Sequence, residues 1–271
     1  MQVFYDTHAH LDYPEYGADL PLVIERAIGA RIERIITIGT DLESSRHAVR
    51  LSEEHPTLYA AVGWHPSHAS SAPADVRPAL LELARHPKVV AIGETGLDYH
   101  RLPSEKPEHT AAEDELYRRR QAELFQQHLE VAAEAGLNCV VHQRQALDDV
   151  LILMQPFVGR VRGVFHCFAD SPAAMQRILA LGSIVSFTGI VTFKNAQNVR
   201  DSLAATPGDQ FMLETDSPFL APVPYRGKRC EPAYVREIAA TVAEVRNCGL
   251  DELSTTTCHT AERFFPKLKG N

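Results

Sequence analysis

Eight short apolar runs recur along the chain, and stretches with the spacing of amphipathic helices separate them. The ends of successive runs lie roughly 30 residues apart, which is the length of one strand–helix unit. Buried strands that alternate with helices pair in parallel through right-handed crossovers. Eight such units predict an α/β fold, a closed (β/α)8 TIM-like barrel rather than an open doubly wound sheet. The predicted strands are Val3–Thr7, Ile35–Gly39, Leu58–Gly63, Val89–Gly93, Cys139–His142, Gly163–Phe165, Ile184–Phe187 and Phe211–Glu214.

The segments between these runs carry helix signals. Leu116–Ala135 places its apolar residues on one stripe and is followed by Gly136, a typical helix stop. Asp41 and Ser171 each precede a helical pattern as N-caps. Arg101–Glu115 is long and polar and is interpreted as a mobile loop at the barrel mouth. No linker divides residues 1–271, which are therefore predicted to form a single barrel domain.

The composition excludes several classes of protein. The chain has 271 residues and a net charge of −8, so bulk positive charge does not attach it to duplex DNA. Its five cysteines are scattered and odd in number, which argues against a disulfide framework and favours a reducing cytoplasm. We expect no membrane association, because the sequence shows no long apolar run and no signal-peptide pattern. No glycine-rich nucleotide fingerprint follows the first strand.

Polar side chains stand where several predicted strands end. In a barrel of this kind these ends meet at one face, which carries the active site. His8 and His10 are two residues apart in an extended segment, so both side chains point the same way. Histidines inside predicted helices, such as His128, are expected to be surface or packing residues instead. The predicted metal ligands are His8, His10, Glu94, His142, His166 and Asp216.

Six ligands exceed the three or four that one catalytic ion takes from a protein. The sequence therefore predicts two divalent ions per chain, with Glu94 on a middle strand as the bridging carboxylate. Two such ions can activate a water as nucleophile and stabilise both oxygens of a displacement. If the substrate is a phosphodiester, Mg²⁺ is the expected working ion, whereas four imidazoles also suit Zn²⁺, Mn²⁺ or Ni²⁺.

Several segments together resemble the TatD family of metal-dependent hydrolases, part of the amidohydrolase superfamily. The resemblance covers essentially the whole chain, with the motifs in order. It implies a TIM-like barrel and a deoxyribonuclease, typically a 3′→5′ exonuclease that prefers single strands. The segments are Asp-Thr-His-Ala-His-Leu-Asp at 6–12, Val-Gly-Trp-His-Pro at 62–66, Ile-Gly-Glu-Thr-Gly-Leu-Asp-Tyr at 92–99, Val-His-Gln-Arg at 141–144, Phe-His-Cys-Phe at 165–168 and Leu-Glu-Thr-Asp-Ser-Pro-Phe-Leu-Ala-Pro at 213–222.

The resemblance also implies roles for these residues. It assigns one ion to His8, His10, Glu94 and Asp216, and the other to Glu94, His142 and His166. It places His65 and Glu214 beside the substrate phosphate and the metal centre. We therefore predict Asp216, Glu214 and His65 as the catalytic residues. The eighth strand, if extended, directs Glu214 and Asp216 to the same side, with Asp216 as ligand and Glu214 orienting His65 or the water.

Substrate contacts are expected from the mouth loops. Arg144, Lys194 and Arg226 are predicted to hold phosphates of single-stranded DNA, or of RNA. Tyr99 and Phe193 are predicted to stack on a terminal base. For each of these side chains, solvated surface charge or packing at the rim is the alternative.

Two other functions remain open at the level of sequence. One is ester or amide hydrolysis of the amidohydrolase type, for example by a D-aminoacyl-tRNA deacylase. Glu94 argues against cyclic amides, because many such enzymes have a lysine on the fourth strand. The other is metal binding without catalysis, which the additional carboxylate of Glu214 disfavours.

Overall fold

The structure is a computed structural model, and it describes residues 2–100, 102–105 and 110–268. Eight parallel strands form one sheet in the order of the chain, each bonded to the next. This arrangement confirms the predicted (β/α)8 barrel, and all eight predicted strands are present. The strands are β1 (Phe4–Ala9), β2 (Ile32–Ile38), β3 (Leu58–Val62), β4 (Val89–Asp98), β5 (Asn138–Arg144), β6 (Gly163–Phe165), β7 (Ile184–Phe187) and β8 (Phe211–Leu213).

The helices follow the strands around the outside. As predicted, Gly136 ends the longest helix, in the left-handed conformation with a φ of 64°. Both predicted N-caps are present, because Asp41 accepts from the amide of Ser44 and Ser171 accepts from that of Ala174. The helices are α1 (Leu20–Gly29), α2 (Leu42–Glu54), α3 (Arg77–Ala84), α4 (Ala111–Ala135), α5 (Leu147–Met154), α6 (Pro172–Ala180), α7 (Gln197–Ala205), α8 (Val235–Arg246) and α9 (Leu250–Phe264).

The polar segment Arg101–Glu115 is only partly the loop that the sequence predicted. Residues 101 and 106–109 lie outside the described residues. From Ala111 onward the segment is the first turn of α4, so the loop prediction is wrong there. The helix begins early because Thr110 and Glu113 form a capping box, in which the Thr110 amide donates to Glu113 Oε2 at 2.7 Å.

A bulge interrupts β4 and directs Glu94 toward the barrel axis. Gly93 and Glu94 together face one residue of β5, Val140, because Ile92 pairs with Cys139 and Thr95 with Val141. Gly93 has a φ of 149°, and a Cβ there would lie 2.6 Å from the carbonyl oxygen of Val140. The prediction that this strand ends at Gly93 is therefore wrong: β4 continues beyond the bulge to Asp98.

The barrel closes between β1 and the segment after β8, which we call the seam. His10 N donates to Ser217 O at 2.7 Å, and Asp216 N donates to His8 O at 2.9 Å. Beneath them, the buried Asp6 carboxyl group accepts from the amide of Thr215 at 2.9 Å and from its hydroxyl at 2.6 Å. The two ends of the barrel sheet are thus joined at the level of the predicted metal ligands.

The apolar side chains form two buried clusters. One lies between the strands and the surrounding helices, as expected for parallel strands that are covered on their outer face. The other contains alternate strand residues such as Ile36 and Val90 together with Phe264 and Phe265 at the end of α9. This second cluster fills one end of the barrel, which leaves the opposite end for polar residues. No helix among the described residues has both the length and the apolar character needed to cross a bilayer.

His128 on α4 holds the end of β3 in place. Its Nε2 accepts from the backbone amide of Trp64 at 2.8 Å, while its Nδ1 donates to Leu124 O at 2.7 Å. Burial lowers the pKa of His128 to about 4, so the ring stays neutral and can accept. His128 is therefore a buried packing residue that also fixes the backbone next to His65.

Replacing His128 by Leu is expected to lower the free energy of unfolding by about 1–3 kcal/mol, because the part-buried Trp64 amide loses its acceptor. In the wild type, the contribution of the neutral ring is complete above pH 6.5 and declines as the pH falls toward about 4. Urea denaturation between pH 4 and 8 measures both effects. Equal pH slopes for the variant and the wild type would show that His128 does not titrate in this way.

Candidate metal centre

A first group of ligand atoms lies at the seam. The Nε2 atoms of His8 and His10 are 3.2 Å apart, and Asp216 Oδ1 is 3.5 Å and 3.4 Å from them. Glu94 Oε2 lies 3.6 Å from the same His8 nitrogen. Four donors around an ion at about 2.1 Å are separated by roughly 3.4 Å. The separations in this group therefore suit a single divalent ion.

A second group lies beside the first, between β4, β5 and β6. Glu94 Oε1 is 2.7 Å from His166 Nε2 and 2.9 Å from His142 Nδ1. His65 Nε2 is 3.4 Å from the same carboxylate oxygen and 3.2 Å from His142 Nδ1. The structure thus places His65 at the distance of a ligand, a role that the sequence did not predict for it.

Glu94 faces both groups at once. Its Oε2 belongs to the first and its Oε1 to the second, and the side chain is only 3% exposed. Burial by itself raises the pKa of Glu94, but the imidazoles of His166 and His65 outweigh it and hold the pKa well below its usual value. Glu94 is therefore a carboxylate, as a bridge between two cations requires.

The donor set fits divalent metal ions. Imidazole nitrogens and carboxylate oxygens, His65 included, converge from six strands, and the structure brings together all six side chains that were predicted as ligands. Burial lowers the pKa of His8 well below its usual value, so that ring is neutral and its nitrogen lone pair is free to coordinate. The individual ligand roles remain predictions, which the metal-content measurements described below test.

Asp98 contacts a predicted ligand, and the sequence analysis did not single it out. Its Oδ2 lies 3.1 Å from His142 Nε2, and this contact turns His142 Nδ1 toward Glu94. A carboxylate behind a ligating imidazole fixes the orientation of the ring and raises its basicity. Asp98 was overlooked because β4 was predicted to end at Gly93, although the residue stands in one of the motifs that carry the family resemblance.

Glu214 and Asp216 do not share a side of an extended strand. β8 ends at Leu213, and Asp216 has a φ of 58°, so the chain turns between the two carboxylates. Glu214 Oε1 accepts from the amide of Cys167 at 2.6 Å and lies 3.7 Å from His166 Nδ1. The expectation that Glu214 orients His65 is therefore wrong, because its contacts place it behind His166.

Two cavities of about 470 Å³ each open onto these groups. His142, Arg144, His166 and Asp216 line both of them. The first, the apolar cavity, is walled by Phe165, Phe168, Ile190 and Leu220. The second, the histidine cavity, contains His10, His65, Tyr13 and Phe219. Volumes of this size are typical of small-ligand sites, so a substrate can extend to both sides of the ligand groups.

The predicted substrate contacts differ in where they lie. Arg144 is exposed and lines both cavities, and within the described part of the chain its guanidinium has no acidic partner. Lys194 is exposed in a turn, and neither it nor Arg226 is among the described residues that line the two cavities. The Arg226 guanidinium lies 3.7 Å from the ring centre of Phe193. Only Arg144 is thus brought to the ligand groups.

Tyr99 is also held away from the ligand groups. Its hydroxyl donates to Asp149 Oδ2 at 2.8 Å, and the guanidinium carbon of Arg118 lies 4.9 Å from its ring centre. It lines a separate groove between β5 and α6. Its predicted stacking on a terminal base therefore has no support from its position.

Known proteins resemble this chain over nearly its full length. The model of the TatD related DNase family matches residues 5–266. The uncharacterized metal-dependent hydrolase YabD of Bacillus subtilis is 38% identical over 97% of this chain and 99% of that protein. A Klebsiella pneumoniae protein named 3′-5′ ssDNA/RNA exonuclease TatD is 34% identical over 89% of this chain and 90% of that protein. The crystal structure of YJJV, a TatD homolog from Escherichia coli, has a TM-score of 0.85 and 28% identity, over 97% of this chain and 98% of that one. The chain therefore belongs to the TatD family of metal-dependent hydrolases.

Proposed function

We propose that this hydrolase removes nucleotides from the 3′ end of single-stranded DNA, and of RNA as a second substrate. The observation that carries the proposal is the Glu94 carboxylate between two groups of ligand atoms, with the Arg144 guanidinium at the cavities that open onto them. Among the described residues this guanidinium has no acidic partner. Two charge-neutralising positions next to a phosphate-binding cation suit an anionic diester better than a neutral amide. The name of the Klebsiella pneumoniae relative supports the same substrate class.

The described residues fit two divalent ions, and we take Mg²⁺ as the working ion. His8, His10, Glu94 and Asp216 would hold one ion, and Glu94, His142 and His166, joined by His65, the other. Bound there, such ions supply Lewis acidity, which neutralises charge on the phosphoryl oxygens and lowers the pKa of water. Zn²⁺, Mn²⁺ and Ni²⁺ suit the same imidazole-rich donor set.

The side chains around these positions have separate tasks. Arg144 binds the phosphate, because a guanidinium donates two parallel hydrogen bonds to phosphate oxygens. Asp216, 15% exposed at its side chain, reaches the cavity and accepts the proton of the attacking water at a carboxylate oxygen. Asp98 and Glu214 hold His142 and His166 from behind, so that their other nitrogens face Glu94.

One reconstitution experiment tests the proposal. Metal-stripped protein is restored ion by ion and assayed on end-labelled linear single-stranded DNA, circular single-stranded DNA, duplex DNA, RNA and a D-aminoacyl-tRNA. We expect Mg²⁺ to restore the stepwise release of mononucleotides from the 3′ end of linear strands, while circles resist. Equal cleavage of circles and linear strands would contradict the end-directed mode. Hydrolysis of the D-aminoacyl ester alone would assign the site to the alternative ester hydrolase.

The dependence of binding on salt is expected to be shallow. A mouth with little positive charge contacts only about two to four phosphates, and each lowers log affinity by roughly 0.7 per unit of log salt. Arg144→Gln should reduce this slope by about one contact, because Arg144 is the cation that lines both cavities. Fluorescence anisotropy with a hydrolysis-resistant phosphorothioate oligonucleotide measures both slopes. An unchanged slope for the variant would remove Arg144 from the phosphate contacts.

A further inference from the structure

The two aromatic side chains that the sequence proposed for base stacking are already engaged. The Arg226 guanidinium covers Phe193, and Tyr99 is bound by Asp149 and covered by Arg118. Phe219 differs from both. It is 47% exposed, and it lines the histidine cavity together with His10 and Asp216. Aromatic side chains that line a cavity beside a few polar groups are typical ligand contacts.

Backbone bonds fix Phe219 to the first ligand group. Its amide donates to Asp216 O at 3.0 Å, which closes a tight turn between the two residues. One residue after Asp216, the carbonyl of Ser217 accepts from His10 N at 2.7 Å across the seam. The position of the ring relative to Asp216 and His10 is therefore set by the same turn that sets the ligand.

The ring of Phe219 has no stacked partner among the described residues. Its centre is 5.9 Å from that of Tyr13 at an interplanar angle of 80°, and 6.4 Å from that of His10 at 66°. Both contacts are of the edge type, whereas Tyr13 itself is stacked on His10 at 4.8 Å and 28°. Among the described residues, no ring and no cation lies flat on Phe219. A planar group that enters the histidine cavity can therefore stack on it.

We infer that a nucleobase of the substrate stacks on Phe219. This base belongs to the part of the substrate, on one side of the scissile phosphodiester, that enters the histidine cavity. This inference rests on the proposed function, because it requires a nucleic-acid substrate. Arg144 lines the same cavity, so one nucleotide can place its phosphate near the guanidinium and its base on the ring. Stacking uses the π face that every base has, so this contact selects single strands without selecting a sequence.

The test compares two oligonucleotides on four proteins. One single-stranded DNA carries normal bases, and the other carries abasic tetrahydrofuran residues at its last two 3′ positions. The proteins are the wild type, Phe219→Ala, Phe219→Trp and the control Ile152→Ala, which removes an apolar side chain that is 67% exposed on α5. Metal content and thermal melting of each variant show that the fold and the ligands are intact, and Phe219→Leu replaces Phe219→Ala if it melts early.

On the normal strand, we expect Phe219→Ala to raise KM roughly 5- to 150-fold with a much smaller change in kcat, as the loss of base stacking does elsewhere. Phe219→Trp should restore KM, and Ile152→Ala should match the wild type. On the abasic strand, the wild type should already show the high KM, and Phe219→Ala should add nothing. An equal effect of Phe219→Ala on both strands would overturn the inference and leave the proposed function standing. A wild type that cleaves neither strand would overturn both.

Discussion

Glu94→Gln is expected to abolish turnover and to reduce the metal content from two ions per chain. The two carboxylate oxygens of Glu94 face different ligand groups, and a neutral amide can offset neither of two divalent charges. Loss of a residue behind a ligand typically costs 10- to 100-fold in metal affinity or activity, so loss of the shared ligand should cost more than about 100-fold. Mass spectrometry of the metal-loaded variant and the nuclease assay measure the two effects.

The matched control for this change is Glu82→Gln, which makes the same substitution at an exposed position on α3. It should keep both ions and full activity. If Glu94→Gln also kept two ions per chain, Glu94 would not be the bridging ligand. Early thermal melting of Glu94→Gln with both ions still bound would point to a structural role instead.

Neutralising Asp216 and neutralising Glu214 should have different effects on metal content. Asp216→Asn is expected to lose metal and nearly all activity, because its carboxylate oxygen lies 3.5 Å and 3.4 Å from His8 and His10. Glu214→Gln should keep both ions and slow the chemical step by about 10²-fold, because Glu214 acts through His166 and the Cys167 amide. Metal content and kcat of the two variants, measured side by side, separate the roles.

The reverse pattern would exchange the two residues: metal loss in Glu214→Gln together with metal retention in Asp216→Asn. It would also mean that the turn at Asp216 directs its side chain away from the first ligand group. The pH profile of kcat for Glu214→Gln is a further measurement, because a purely structural role of Glu214 would leave this profile unchanged. The acidic limb of the Glu214→Gln profile should shift if this carboxylate sets the basicity of His166, because the ring must lose its proton before it can bind a metal ion.

Periodicity predicted the barrel well because each strand is buried on both faces and reads as an apolar run. Gly163–Phe165 and Ile184–Phe187 have the predicted bounds, and Phe211–Leu213 is one residue shorter than expected. The error at β4 has a physical cause. A bulge changes the pairing and leaves hydrophobicity unchanged, so an apolar run that stops at Gly93 looked like the end of the strand.

The predicted ligands came together because parallel strands deliver their carboxyl ends to one face of the barrel. The conformation of the chain after each strand could not be predicted from the sequence. The left-handed turn at Asp216 separates it from Glu214, and the same region presents Phe219 to the histidine cavity. The partners of Tyr99 and Arg226 are likewise set by loop conformation, which their aromatic or cationic character alone does not predict.

Because of the seam, the two ligand groups are completed at different times during synthesis of the chain. Asp6 and Thr215, which meet beneath the first group, are 209 residues apart in the chain, and His8, His10 and Asp216 stand just above them. An emerging polypeptide therefore cannot complete this group until its last strand has left the ribosome. A divalent ion that binds this group binds only the closed barrel. By mass action it therefore stabilises the closed barrel, in which β1 is bonded to the segment after β8. Depletion of metal should therefore first weaken the contacts between β1 and the segment after β8.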